Sequence, residues 1–133
     1  MLVSELMQTD LQVTSPEAAV NDAAVTLAEA HVSGLPVVDG RGNLVGVISG
    51  TDILASEEEV ESEAGRVALY EDTLVRDLMT PKPVTVPSSA TVKEAAQLLL
   101  YADVHRVFVL DGERLVGVLS TTDIVRAVAT GQF

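Results

Sequence analysis

One stretch that occurs twice decides the fold: LVGVISGTDIL at residues 44–54 and LVGVLSTTDIV at residues 115–125. In each copy a β-branched and aliphatic run, too short for a helix, ends at a serine. A polar triplet ending in aspartate follows, and apolar residues then return at helical spacing. This pattern predicts a strand that runs directly into a helix. Because a helix begins with unpaired N–H groups and the positive end of the peptide dipole, the junction suits an anion or a polar ligand.

The repetition extends over most of the chain. LVSELM at residues 2–7 matches LVRDLM at 74–79, and VNDAA at 20–24 matches VKEAA at 92–96, in both cases 72 residues apart. Since the later stretches match at an offset of 71, we expect one residue to have been lost between Ala96 and His105, at the end of a helix. The sequence therefore predicts a first repeat at 1–56, an acidic helical linker at 57–73 and a second repeat at 74–133.

Hydrophobic periodicity predicts a β-α-β-β-α order for each repeat, which makes the fold class α/β (α+β). In the first repeat we expect strands at 11–14, 34–38 and 44–49, a helix at 19–31 and another after Asp52. In the second repeat we expect strands at 84–86, 106–110 and 115–120 and helices at 92–102 and 122–130. The helix at 19–31 carries His31 on its apolar stripe, which predicts a buried, hydrogen-bonded histidine rather than a ligand.

Composition limits the classes of function. The 133-residue chain has eight basic and twenty acidic residues, a formal charge of −12 that repels nucleic acid and anionic membranes alike. It has no cysteine, and two histidines alone do not make a typical zinc site. The first residues lack a basic leader and the longest apolar run, 98–102, is far too short for a bilayer span, so we expect a soluble, cytoplasmic protein.

An acidic stretch separates the two repeats. SEEEVESE at residues 56–63 places five carboxylates in seven positions, where like charges at helical spacing repel each other. The stretch is read either as an acidic helix end and linker or as a patch for a divalent cation or a partner. A divalent-cation sensor is therefore one of the alternative functions.

The repeats resemble CBS domains arranged in tandem, as in a stand-alone CBS pair or Bateman module. The residues that carry the resemblance are LPVVD at 35–39, GVIS at 46–49 and TDIL at 51–54, with HRVFVLD at 105–111 and GVLSTTD at 117–123 in the second copy. DLMTP at 77–81 is also how such repeats commonly begin. The resemblance implies two repeats packed about a pseudo-twofold axis with two clefts between them, and a homodimer that forms a disc of four CBS units.

The resemblance also implies a ligand. In relatives the clefts bind AMP, ADP, ATP or S-adenosylmethionine, with or without Mg²⁺, and the ligand regulates an attached protein. Here the regulated protein would be a separate chain. The sequence shows no nucleophile elbow, metal-ligand set or glycine-rich phosphate loop, so we expect a non-catalytic regulatory module.

Site residues follow from the match to the family motif. In relatives, the carboxylate that matches Asp52 and Asp123 accepts hydrogen bonds from the ribose hydroxyls. The negative charge of a carboxylate makes such hydrogen bonds stronger. The residues expected near phosphate or ribose are Ser49, Thr51, Ser120, Thr122, His105, Arg106 and Lys82. The residues expected around an adenine slot are Val13, Thr14, Leu35, Pro36, Thr85, Val86, Val107 and Phe108.

The two sites are expected to be unequal. The second repeat has the cation Arg106 beside His105, where the first offers Gly34 and Leu35. We therefore expect the second site to favour a phosphorylated nucleotide and the first to favour an uncharged or weakly phosphorylated adenosine moiety, or nothing. In the alternative interpretation Arg106 pairs with a local acid and binds no phosphate.

A structural explanation of the motif stays open beside the functional one. Ser49-x-x-Asp52 and Ser120-x-x-Asp123 each fit a capping box, which stabilises a helix by about 1 kcal/mol. Micromolar binding needs about 8 kcal/mol, so capping could by itself explain the motif in a repeat that binds nothing. A ligand-free dimerisation or interaction module is accordingly the second alternative function.

Overall fold

The computed structural model describes residues 1–132, which form short sheets covered by helices. The elements in chain order are α1 (Val3–Leu6), α2 (Val20–Ala30), β1 (Gly34–Val38), β2 (Leu44–Ser49), α3 (Gly50–Glu57), α4 (Glu63–Asp72), α5 (Val75–Leu78), β3 (Thr85–Pro87), α6 (Val92–Ala102), β4 (Arg106–Asp111), β5 (Arg114–Ser120) and α7 (Thr121–Ala129).

The chain divides into two compact units whose boundaries differ from those of the sequence repeats. A central unit spans Gln12–Lys82, and a C-terminal unit combines Met1–Leu11 with the chain from Pro83 onward. Helix α1 therefore joins the unit built from the second repeat, and α5 joins the unit built from the first. The helices are held there by Val3 and Val75, whose side chains are fully buried in the respective cores.

The C-terminal unit is built on a three-stranded sheet in the order β3-β4-β5. Strand β3 runs parallel to β4, and β4 runs antiparallel to β5 with Arg106 opposite Ser120. Helices α1, α6 and α7 supply the rest of the unit. Its core contains Val3, Val86, Ala90, Ala95, Leu99, Val107, Val109 and Leu119.

The central unit is built on the antiparallel pair β1-β2, with Gly34 opposite Ser49. The strand predicted at 11–14 is wrong, because only Thr14 pairs there: its N–H donates to the Pro36 carbonyl at 3.1 Å and its carbonyl accepts from Val38 N–H at 2.9 Å. Pairing stops on the N-terminal side, where Gln12 and Val13 are exposed. The core contains Val20, Ala23, Leu27, Leu35, Val37, Ile48, Ile53 and Val75.

The acidic segment after α3 turns back onto the central unit. Helix α4 begins at Glu63, after the Ser62 side chain accepts a hydrogen bond from Gly65 N–H at 3.0 Å. Leu69 is buried, and Tyr70 packs against the central core and donates to Glu57 at 3.2 Å. Burial and the Glu57 carboxylate raise the pKa of Tyr70 above its ordinary value of 10.0. The predicted helical linker is therefore mostly helix, but it forms part of one unit's core.

The prediction that a residue was lost between Ala96 and His105 is wrong. Helices α2 and α6 have equal lengths and lie 72 residues apart in sequence. The next strands, β1 and β4, begin at Gly34 and Arg106, which are again 72 residues apart. The difference lies in the hairpin turn, where the link from Asp39 to Leu44 is one residue longer than the link from Asp111 to Leu115. A turn on the surface accepts a length change that would shift the register of a packed helix.

His31 is exposed, so the expectation that it is buried is wrong. It follows the last residue of α2 in the left-handed conformation with φ 54°, and its backbone N–H bonds back to the helix. Asp103 ends α6 in the same way, with φ 52°. The apolar stripe of α2 thus ends one turn earlier than the sequence indicated.

Candidate functional site

Each unit contains one corner at which a strand runs directly into a helix. Strand β2 meets α3 at Ser49 in the central unit, and β5 meets α7 at Ser120 in the C-terminal unit. Both serines have extended backbones, so the chain turns into the helix immediately after them. The duplicated corner predicted from the sequence is present in both units.

Both corners are closed by a capping box. The Asp52 N–H donates to Ser49 Oγ at 3.1 Å, and Asp52 Oδ2 accepts from Ser49 N–H at 2.9 Å. Asp123 and Ser120 make the same two bonds at the same distances. One oxygen of each aspartate is therefore committed to its helix, and a ligand would compete for what remains of the carboxylate.

The second oxygen of Asp123 already has two donors. Gln8 Nε2 lies 3.1 Å from Asp123 Oδ1, and Arg126 Nη1 lies 3.4 Å from the same oxygen. The whole Asp123 residue is 6% exposed. The carboxylate is thus well satisfied within its own unit.

The second oxygen of Asp52 is held more loosely. Within residues 1–132, Asp52 Oδ1 accepts from Thr80 Oγ1 at 3.5 Å, a distance at the limit of a hydrogen bond. Asp52 is half-buried, and Ala55 stands where the C-terminal unit has Arg126. The two carboxylates therefore offer a ligand different numbers of open acceptor positions.

Gln8 and Thr80 hold equivalent places, and we did not predict either as a site residue. Gln8 pairs through its backbone with Val118 of β5, and Thr80 pairs in the same way with Val47 of β2. Both follow a methionine that closes a repeated motif, LVSELM or LVRDLM. The repeated motif directly before Gln8 and Thr80 is the sequence pattern from which both site residues could have been predicted.

The methionines lie against glycines in the strands that they cross. A Cβ atom on Gly46 would come within 2.7 Å of Met79 Sδ, and one on Gly117 would come still closer to Met7 Sδ. Real Cβ atoms are not found at such distances. The glycine in each GV pair therefore lets the methionine segment approach the strand and carries Gln8 or Thr80 to its aspartate.

A groove of about 280 Å³ lies beside the corner of the C-terminal unit. Eight residues line the groove, and five of them were predicted as site residues. The other three are Gln8, Val118 and Thr121. The five are His105, Arg106, Ser120, Thr122 and Asp123. The groove therefore combines a guanidinium, an imidazole, three hydroxyls and the start of α7, all of which can contact an anionic group.

The corresponding face of the central unit lacks this histidine and arginine. Gly50 N–H donates to the Ser33 carbonyl at 3.1 Å, as Thr121 N–H donates to the His105 carbonyl at 3.0 Å. His105 and Arg106 therefore correspond to Ser33 and Gly34. The prediction that they correspond to Gly34 and Leu35 is wrong, because it is shifted by one residue. The predicted inequality of the two sites does not change, because neither alternative supplies a cation.

The remaining predicted residues are spread over the two units. Thr51 is exposed in the first turn of α3, and Lys82 is exposed with a left-handed φ of 55° two residues after Thr80. The adenine-slot residues that are buried are Leu35, Pro36, Val86, Val107 and Phe108. Those that reach the surface are Val13, Thr14 and Thr85. Only the second group has side chains that a base could contact without a change in the core.

A second, apolar groove of about 330 Å³ runs between α6 and α7. Leu100, which is 82% exposed, and Val125, which is 65% exposed, line it. The same two helices also expose Tyr101 by 92% and Val128 by 62%. Large apolar side chains exposed beside an apolar groove are typical of an interaction surface.

Within residues 1–132 no three histidine or acidic side chains come close enough together to hold a metal ion. Glu57, in the acidic stretch, is already paired with Arg66 at 3.3 Å. No helix in the same residues has the length and apolarity to cross a bilayer.

Comparison with known proteins identifies the family. The family described as CBS domain matches residues 3–59 and again residues 75–130. The chain belongs to the CBS domain family. This CBS pair is 34% identical over 139 residues to CBSX2 of Arabidopsis thaliana, a CBS domain-containing protein described as chloroplastic, and the match covers 89% of the chain and 58% of that protein. Its identity to CBSX1 of the same plant is 30%, with 59% of that protein covered, so the chain spans about three-fifths of the length of these relatives.

Solved structures show the same fold. A crystal structure of CBSX2 in complex with AMP is 36% identical, has a TM-score of 0.83 and covers 99% of this CBS pair and 98% of that chain. The CBS domain pair of MJ0100, solved with 5′-methylthioadenosine and S-adenosyl-L-methionine, is 23% identical with a TM-score of 0.77, and it supports the fold alone. The predicted family and the α/β fold of two CBS repeats are confirmed.

Proposed function

We propose that this CBS pair is a non-catalytic regulatory module that binds an adenosine ligand at its strand-to-helix corners and signals to a separate protein. The duplicated corner carries the proposal, because it places an aspartate, hydroxyls and helix amides together twice in one chain. The AMP in the crystal structure of CBSX2 supports an adenosine ligand. The compartment in which the protein acts stays a prediction, with the cytoplasm as the expectation.

The C-terminal corner suits the phosphate of such a ligand. The chain has a formal charge of −12, so a phosphate binds only where a cation lies at contact distance. Arg106 and His105 line the groove beside the first turn of α7, and a guanidinium bonds a phosphate through two N–H groups at once. Asp123 at the same corner is the group that would accept the sugar hydroxyls.

AMP is the ligand that we favour among the four candidates. It carries one phosphate, which a single Arg and a helix N-terminus can match, whereas ADP and ATP bring more negative charge to an acidic protein. Mg²⁺ would be needed only to offset that additional charge. S-adenosylmethionine is cationic at its sulfur and would gain least from Arg106.

Isothermal titration calorimetry with AMP, ADP, ATP and S-adenosylmethionine tests the proposal, and adenosine serves as the probe without a phosphate. We expect AMP to bind with a Kd below about 1 mM, equivalent to about 4 kcal/mol, and Arg106→Gln to weaken AMP by at least about tenfold while changing adenosine little. Arg114→Gln is the matched control, because Arg114 is an exposed arginine at the far end of the same hairpin. Absence of heat with all four ligands, or equal effects of the two variants, would contradict the proposal.

Dimerisation without a metabolite is the second candidate function. The exposed apolar face formed by α6 and α7 favours it, because it offers a second copy of the chain an apolar surface to bury. Dimerisation as such is also compatible with the first candidate, since a ligand can control a dimer by binding one of its arrangements more tightly than another. The divalent-cation alternative has no cluster of ligands to support it within residues 1–132.

A further inference from the structure

We propose that Gln8 lowers the affinity of the C-terminal corner for the sugar of its ligand by occupying one acceptor position on Asp123. This inference rests on the proposed function and adds to it a residue that decides which corner binds a vicinal diol better. Gln8 lies in the N-terminal segment, 115 positions from Asp123 in sequence.

The carboxylate of Asp123 has little acceptor capacity left. A carboxylate offers about four lone-pair positions, two on each oxygen. In Asp123 the Ser120 N–H takes one position on Oδ2, while Gln8 and Arg126 take both positions on Oδ1. Among the described residues this leaves one position, whereas the two hydroxyls of a ribose need two.

Asp52 is less occupied. The Ser49 N–H takes one position on Oδ2, and the Thr80 hydroxyl approaches Oδ1 only to 3.5 Å. A hydroxyl can also rotate and accept a bond itself, so Thr80 can yield its place or contribute to a sugar site. Asp52 can therefore take both hydroxyls without losing a strong donor.

Gln8, rather than Arg126, is the donor that controls Asp123. Its amide is closer, at 3.1 Å against 3.4 Å. Both residues are exposed, so the longer and more flexible Arg126 side chain, at the greater distance, is the weaker of the two donors. The orientation of the Gln8 amide is set by chemistry, since a carboxylate accepts hydrogen bonds and only the NH₂ group can donate one.

The backbone around Gln8 does not depend on its side chain. The Gln8 N–H and carbonyl bond to Val118 at 2.8 Å and 3.0 Å, and Met7 packs on Gly117. Because β pairing tolerates threonine well, a Gln8→Thr variant keeps this pairing and gives the C-terminal corner the residue that the central corner has at Thr80. The reciprocal variant is Thr80→Gln.

An NMR titration with AMP reads the two corners separately in one sample. The backbone amides of residues 50–52 report the central corner, and those of 121–123 report the C-terminal corner. We expect Gln8→Thr to tighten AMP at the C-terminal corner about threefold to tenfold, as the release of one competing hydrogen bond would. We expect Thr80→Gln to weaken the central corner by a similar factor, with the other corner unchanged in each variant.

A second probe, 2′-deoxy-AMP, separates the sugar contact from a general change. It lacks one of the two hydroxyls, so Gln8→Thr should tighten it less than it tightens AMP. Equal or weaker AMP binding in Gln8→Thr would overturn the inference while leaving the proposed function intact. Absence of binding in the wild type and in both variants would overturn the proposed function and the inference with it, whereas binding that emerges only in Gln8→Thr would support the inference.

Discussion

Gly46 and Gly117 set how closely a methionine segment approaches a strand. Each lies at the centre of its strand, and a Cβ atom added there would meet the side chain of Met79 or Met7 first. A third glycine, Gly50, opens α3 and has nothing within 4 Å of the place that its Cβ would take. At the scale of single residues, therefore, two glycines are required by packing and one is not.

Gly117→Ala should destabilise the protein by about 1–3 kcal/mol, because the added methyl group displaces Met7 from a packed position. Gly50→Ala is the control and should be neutral or stabilise by about 0.5–1 kcal/mol, since alanine favours a helix more than glycine does. Urea unfolding measures both. The cost of Gly117→Ala should shrink in a Met7→Ala background, and an unchanged cost there would contradict the clash with Met7.

The short helices α1 and α5 are stable only where they are packed. Each has four residues, too few for an isolated helix in water. Backbone bonds fix them to their units: Val3 N–H donates to the Ala90 carbonyl at 2.8 Å, and Val75 N–H donates to the Ala18 carbonyl at 2.8 Å. Each unit therefore depends on a short helix from the other sequence repeat: the C-terminal unit on α1 and the central unit on α5.

Fragments of nearly equal length test this dependence. Fragment 12–82 contains the whole central unit, whereas fragment 1–73 contains the first repeat and the linker but lacks α5. We expect 12–82 to be the more stable by about 2–4 kcal/mol, because 1–73 leaves a hole where the fully buried Val75 belongs. Melting followed by circular dichroism measures the difference. Equal stability of the two fragments would show that α5 contributes little to the central core.

The whole molecule combines a strong negative charge with an apolar face on α6 and α7. The charge of −12 opposes association of two copies, and the exposed side chains of Leu100, Tyr101, Val125 and Val128 favour it. Salt screens charge over about 8 Å at physiological ionic strength but leaves burial of apolar surface intact. The balance should therefore shift towards the dimer as salt is added.

Native mass spectrometry and light scattering should show a dimer for the wild type and a monomer for Leu100→Glu, because a carboxylate cannot be buried in an apolar interface without a partner. Val67→Glu is the matched control, since it places the same charge on an exposed apolar position of α4. A dimer that survives Leu100→Glu, or dissociates equally in Val67→Glu, would exclude this face as the interface.

The sequence by itself determined the features that depend on neighbouring residues. The two strand-to-helix corners, their capping boxes, the hairpins and helix α6 follow from patterns a few residues long, and the second copy of each pattern supported the first. Local patterns suffice for the capping boxes, because a serine side chain bonds to the amide three residues later and this bond does not depend on distant parts of the chain.

Only the tertiary structure decided the features that join distant parts of the chain. It placed α1 and α5 in their units, left His31 exposed, moved the length difference into the hairpin turn and brought Gln8 to Asp123. These outcomes depend on the packing of side chains that lie far apart in sequence, which no local pattern records. The physical reason is that burial and charge pairing are shared among many residues, so the occupancy of Asp123 is fixed by the folded unit as a whole and not by the motif around it.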